Sequence, residues 1–198
     1  MTGTRLETAR LELRPLSAEA AAALPLDREN AAQLLGAKLP PDWPQEELVD
    51  LLPGQAALGP RDEPFGIWVI IERETGTVVG DAGFLGRPDA DGLVEIGYSV
   101  VPAARRRGFA TEAAGALVTW ALRRRRVRAV LAVCERDNLP SVRTLERVGF
   151  ARTTEQGSKI YWRLTSAERA SRRRRGTTGS PQPTWPARPR ARRGTAGK

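Results

Sequence analysis

Apolar and polar positions change period along this chain, and each period marks an element. In "RLETARLELRPL" (5–16) the two kinds alternate around Leu11 and Leu13, which predicts a first strand ending at Pro15. Ser17 then suits an N-cap for the alanine-rich "AEAAAAL". Residues 27–58 predict helical pieces broken by "LPPDWP" and "PG". "FGIWVIIE" and "VVGDAGFLG" are β-rich runs on either side of "RETGT", a hairpin with a short glycine-containing turn. "LVEIGYSVV" is a further strand, stopped by Pro102. Over 109–125 the small and apolar residues fall at 110, 113, 114, 117, 118 and 121, close to the helical period. "RAVLAVC" predicts a buried strand, "PSVRTLERVG" a short helix ended by Gly149, and "SKIYWRL" a last strand. No repeat interrupts this order, which is mixed α/β, hairpins first and β-α-β-α-β later.

Composition divides the chain. Residues 165–198 hold ten of the 32 Lys and Arg and only one of the 23 Asp and Glu, so residues 1–164 carry 22 of each and no net charge. The formal +9 therefore belongs to the tail, whose Arg, Pro, Gly, Ser and Thr leave Trp185 as its one large apolar side chain. Such a segment buries too little surface to offset the entropy of ordering, so the expected organisation is one domain over 1–164 and a disordered basic tail over 165–198. A body-wide basic footprint of the kind a folded nucleic-acid-binding domain carries is not expected. There is no histidine and one cysteine, Cys134, set in the apolar "AVLAVC" and read as a reduced core residue. Zinc sites built on His or Cys and His-based triads are excluded, and no metal is expected. No apolar run nears the ~20 residues that span a bilayer, and the N-terminus lacks the apolar core of a secretory signal, so the expected location is cytoplasmic, with no membrane partner.

The chemistry concentrates in "ARRRGFATEA" (104–113). A strand-to-helix junction offers free amides and the positive end of a helix dipole, a ready anion site. Gly108 permits close approach or a positive φ, and Arg105, Arg106 and Arg107 can bond phosphate oxygens. Ala110 and Ala113 keep the first helical turn free of bulk. Neither G-x-x-x-x-G-K-[ST] nor G-x-G-x-x-G occurs, so the common nucleotide and dinucleotide loops do not fit. Taken alone, the stretch also fits a solvated basic loop.

Three motifs in order change that. "RRRGFA" (105–110) after "EIGYSVVP" resembles the [Q/R]-x-x-G-x-[G/A] hallmark of the GNAT superfamily of acyl-CoA-dependent N-acyltransferases. "DNLPSVRTLERVGF" (137–150) resembles that family's Asn-x-x-[Ser/Ala] helix start and closing Gly-Phe. "TARLELRPL" resembles the opening of the branch that includes ribosomal-protein N-terminal (alanine) acetyltransferases. The resemblance covers about residues 8–164. It implies the GNAT fold: a mixed, mostly antiparallel twisted sheet of six to seven strands flanked by about four helices. It also implies acetyl-CoA as co-substrate, its pyrophosphate on Arg105, Arg106, Arg107, Gly108, Phe109 and Ala110 with Thr111 nearby. The backbone of Ser99, Val100 and Val101 would pair with the pantetheine amides; Asn138 would contact the same arm, and Ser141 would lie near the thioester sulfur. Arg106 stands where the family most often has glycine.

Acetyl transfer to an amine needs a neutral nucleophile, a polarised carbonyl and a protonated leaving thiol. An N-terminal amine (pKa about 8) or a lysine (about 10) must first lose a proton. Glu95 is the candidate base, on the strand face opposite Val94 and Ile96, directly or through water; a solvent-facing carboxylate is the plain alternative. Amides near Val100 can polarise the carbonyl. The tyrosine that many family members place seven residues after the Asn is here Leu145, so Ser141 is the candidate acid, with helix capping as its alternative. Tyr98 is read as core and Glu112 as a structural residue of its helix's first turn.

The function expected is an acetyl-CoA-dependent N-acetyltransferase working by direct attack in a ternary complex on a peptide N-terminus or small amine. The competing reading is an RNA- or ribosome-associated binding protein with a vestigial acyltransferase fold, holding polyanions through its tail. Neither the acceptor nor the oligomeric state is legible.

Overall fold

Residues 4–175 are described by the structure, a computed structural model. Eight strands form one sheet in the order β1-β2-β3-β4-β5-β6-β8-β7. They are β1 (Leu6–Glu7), β2 (Leu11–Pro15), β3 (Ile67–Glu72), β4 (Thr77–Phe84), β5 (Leu93–Val100), β6 (Ala129–Glu135), β7 (Ala151–Gln156) and β8 (Lys159–Thr165). Every neighbouring pair is antiparallel except β5–β6. Four short helices, α1 (Ala18–Ala23), α2 (Arg28–Leu35), α3 (Glu46–Val49) and α4 (Leu52–Ala56), separate β2 from β3; α5 (Phe109–Leu122) makes the crossover from β5 to β6, and α6 (Leu139–Val148) follows β6.

The expected elements are present, with additions. Ser17 caps α1 by accepting from the Ala20 amide, and Gly149 ends α6 at φ 108°. The single first strand is instead two, broken at Thr8–Arg10, and β7 is a strand the pattern did not announce. Its "ARTTEQ" is exposed over most of its length, an edge with no buried face to impose alternation. These two additions raise the strand number to eight from the six to seven expected. Helix α5 stops at Leu122, not at 125, so the four arginines at 123–126 follow the helix, and Arg124 lies over the Trp120 ring with its guanidinium carbon 4.5 Å from the centroid.

The tail does not begin where composition placed it. A seventh helix, α7 (Ser166–Arg175), starts at a capping box. Thr165 Oγ1 accepts from the Glu168 amide at 3.2 Å, and Glu168 Oε2 accepts from the Thr165 amide at 2.7 Å. Arg169 then donates to the Gly115 carbonyl and to Thr119 Oγ1 on α5. Average composition hid this local signal, "TSAE". Residues 176–198, on which the rest of the tail reading falls, lie outside the described residues. Among the described residues, no helix is long and apolar enough to cross a membrane.

The sheet divides two cores. On one face Trp68 and Phe84 meet Trp120 of α5, with ring centroids 5.4 and 5.9 Å apart, and Leu117 and Val118 are fully buried beside them. On the other, α1–α4 cover β2–β4, and Gln55 ties them down by donating to the Leu16 carbonyl and accepting from the Ile67 amide.

Candidate functional site

Strands β5 and β6 are paired only from Leu93↔Ala129 to Glu95↔Leu131. Beyond that point β5 continues to Val100 and β6 to Glu135, each bonded only to its outer neighbour, β4 or β8. The sheet therefore opens into a gap, with Glu95 at its apex. Main-chain groups alternate sides along a strand. Because the Val101 amide donates to the Val79 carbonyl, Val101 and Ser99 turn theirs toward β4, while Tyr98 and Val100 turn theirs toward the gap. Of the three residues expected to present main-chain groups there, Val100 does; Tyr98 joins it, and Ser99 and Val101 are spent on the sheet.

At the far end of β5 lies the arginine–glycine turn. Gly108 is the N-cap of α5 at φ 83° and ψ 7°, a left-handed conformation that a side chain would strain, and no side chain caps the helix. Among the described residues, no amide from Arg106 to Thr111 donates a hydrogen bond. A run of unspent donors at the positive end of a 14-residue helix is suited to an anion. The three arginines have different work. Arg105 Nε donates to the Val100 carbonyl at 3.0 Å, and Arg107 pairs with Glu72 and covers the Phe109 ring at 4.5 Å. Arg106 has no hydrogen-bond or ion-pair partner among the described residues, and its φ of 63° explains why glycine would be comfortable there. Phe109 is buried, so only its main chain faces outward, and Val101 is buried with its main chain spent on the sheet; Ala110 and Thr111 are half-buried in the first turn.

Glu95 and Ser141 approach from opposite faces of β5. Asn138 caps α6, its Oδ1 accepting from the Ser141 amide at 3.1 Å, so capping falls to Asn138 and leaves the Ser141 hydroxyl available. That hydroxyl lies 2.9 Å from the Tyr98 hydroxyl. Tyr98 is thus no mere core residue: burial pushes its phenol up to about 12, although the bond to Ser141 works against this, and it stays protonated at neutral pH. Leu145, one helical turn after Ser141, is itself buried in the core.

Glu95 is half-buried, and its carboxylate makes no hydrogen bond or ion pair among the described residues. Its face of the sheet also carries Ser99 and, in register with Ser99, Asp81 on β4. Asp81 was not foreseen. Its Oδ2 accepts from Ser99 Oγ at 2.9 Å and from Trp43 Nε1 at 3.0 Å, Trp43 being buried between α2 and α3. Burial raises the Asp81 carboxyl to about 6; the two hydrogen bonds oppose this and the Glu47 charge adds to it. Its position inside "VVGDAGF" was a usable signal, since a charge in a buried run needs partners. Between Glu95 and Ser99, a Cβ on Gly97 would meet nothing within 4 Å, so this stretch of β5 floors an open groove.

Known proteins share this fold. The family described as "Acetyltransferase (GNAT) domain" matches residues 10–151. An uncharacterised N-acetyltransferase of Bacillus subtilis (strain 168), YjdG, is 33% identical over 160 residues, covering 79% of this chain and 95% of its own. Among solved structures, RimL, a ribosomal L7/L12 α-N-protein acetyltransferase in complex with coenzyme A, superposes with a TM-score of 0.60 at 22% identity, covering 82% of this chain and 98% of that one. A putative ribosomal-protein-serine acetyltransferase from Vibrio cholerae gives 0.57 at 21%, covering 82% and 97%.

Proposed function

This chain belongs to the acetyltransferase (GNAT) family and is an N-acetyltransferase of that type, and from this premise we propose that it moves the acetyl group of acetyl-CoA to a primary amine by direct attack in a ternary complex. The acceptor class we favour is a protein N-terminal α-amine, the substrate type that RimL's name carries. The observation that carries the reading is the gap between β5 and β6, with the unspent amides of 106–111 beyond the end of β5 and Glu95 at the apex.

The residues fit the co-substrate. Amides at the α5 N-terminus and the free Arg106 guanidinium suit a pyrophosphate, and the Tyr98 main chain with the Val100 amide offers a strand edge to a pantetheine arm, the Val100 carbonyl being taken by Arg105. When bound, acetyl-CoA supplies an activated acyl group. Glu95, facing the open groove over Gly97, takes the acceptor's proton directly or through one water. The Val100 amide, with its donor toward the gap, polarises the acyl carbonyl. Ser141, bonded to the protonated Tyr98, returns a proton on the sulfur side.

A screen of small amines and N-terminal peptides with acetyl-CoA tests this. Acetylated product from N-terminal peptides is expected. Acetyl-CoA binding without turnover on any amine would contradict it.

A further inference from the structure

The corner that splits the first strand reaches the anion turn. Arg10 occupies that corner, and the Arg73 amide, just past the end of β3, holds it by donating to the Arg10 carbonyl at 2.9 Å. Each of the three nitrogens of the Arg10 guanidinium donates a hydrogen bond. Its Nε and Nη2 donate to Glu112 Oε2 at 2.8 and 2.7 Å, and its Nη1 donates to the Arg107 carbonyl at 2.9 Å. Glu112 Oε1 accepts from Thr8 Oγ1 at 2.6 Å and from the Arg10 amide at 2.9 Å. The Arg10 guanidinium carbon also sits 4.8 Å from the centroid of the Phe109 ring that Arg107 covers.

Two consequences follow for the turn. The Arg107 carbonyl and the Gly108 amide share one planar trans peptide and point in opposite directions. A cation bonded to that carbonyl fixes the plane and polarises the amide at its other end. Glu112, moreover, is an anion in the first turn of α5, where it would compete with a bound anion for the helix's positive end. Burial would raise its carboxyl, but the bonds from Thr8 and Arg10 and the Arg10 charge hold it below the usual range, so it is ionised. Arg10 cancels that charge.

We infer that Arg10 is a positioning residue for the co-substrate: it aims the Gly108 amide at the pyrophosphate and neutralises Glu112, without itself touching a phosphate. This rests on the reading that the turn at 105–110 holds the pyrophosphate. It also gives the first arginine of "TARLELRPL" a role that its distance in sequence from the turn conceals.

The test is steady-state kinetics with two donors, acetyl-CoA and acetyl-pantetheine, the second lacking the pyrophosphate. Arg10→Ala is expected to raise the KM for acetyl-CoA by about 10- to 100-fold, the range for a lost charge-assisted bond. Its kcat should stay within about twofold, and kcat/KM with acetyl-pantetheine should be unchanged. Arg10→Lys keeps a cation beside Glu112 but cannot bond Glu112 and the Arg107 carbonyl together, so its thermal stability should return while its KM stays high. This variant also serves if Arg10→Ala fails to fold. Equal losses with both donors, or full rescue of KM by lysine, would overturn the proposal. Gly108→Asp separates the two claims: an unchanged KM for acetyl-CoA in that variant would remove the pyrophosphate from the turn, and this inference with it.

Discussion

Single residues here carry backbone strain or an altered protonation that measurement can reach. Arg106 is the one non-glycine residue with a positive φ among those described. A left-handed side-chain residue costs about 1–2 kcal/mol, part of which glycine returns through the greater freedom of the unfolded chain. Arg106→Gly should therefore raise stability by about 0.5–1 kcal/mol in urea unfolding while weakening acetyl-CoA binding, because it deletes the turn's unpartnered cation. Stability and affinity moving together would contradict this. Asp81 is a second case. Its native carboxyl keeps a proton up to about pH 6, whereas the unfolded chain releases it near 4. Between those values the native state binds more protons, so stability falls as pH rises through the window, by up to about 3 kcal/mol from this group. Asp81→Asn retains an oxygen to accept from Ser99 and Trp43 and removes the slope. Urea midpoints should show it more stable than wild type at pH 7 and nearly equal to it at pH 4. An unchanged slope would mean that Asp81 titrates normally.

Elements place these residues, and their legibility depends on burial. β3, β4 and β6 are apolar enough to read directly, and Ser17 and Gly149 mark helix ends by chemistry that needs no tertiary context. β7 was invisible because its side chains face solvent, and α7 because an arginine-rich average masked "TSAE". The contact of α7 with α5 through Arg169 makes a prediction. Truncation after Arg175 should leave the melting temperature unchanged, while truncation after Leu164 should lower it by a few degrees, as expected for about 1 kcal/mol in a domain of this size. Equal melting temperatures would show that α7 contributes no stability.

At the scale of the whole molecule, the site is assembled from parts that sequence shows singly and joins poorly. The turn at 105–110 and the α6 start at Asn138 were legible as motifs, being short and local. The Arg10–Glu112 pair, Asp81 with Trp43, and Tyr98 with Ser141 were not, because each joins residues between 38 and 102 positions apart. On the function proposed, the splay of β5 from β6 would let a co-substrate on one face and an amine on the other meet beside Glu95. The most direct measurement of that claim is the pH–rate profile of Glu95→Gln with acetyl-CoA and an N-terminal peptide acceptor. If Glu95 takes the amine's proton, kcat should fall by about 10- to 1,000-fold near neutral pH, and the deficit should shrink as the amine deprotonates unaided toward its pKa of about 8. The acetyl-CoA affinity of this variant should equal that of wild type. Wild-type rates at every pH would contradict the account and remove the carboxylate from the reaction.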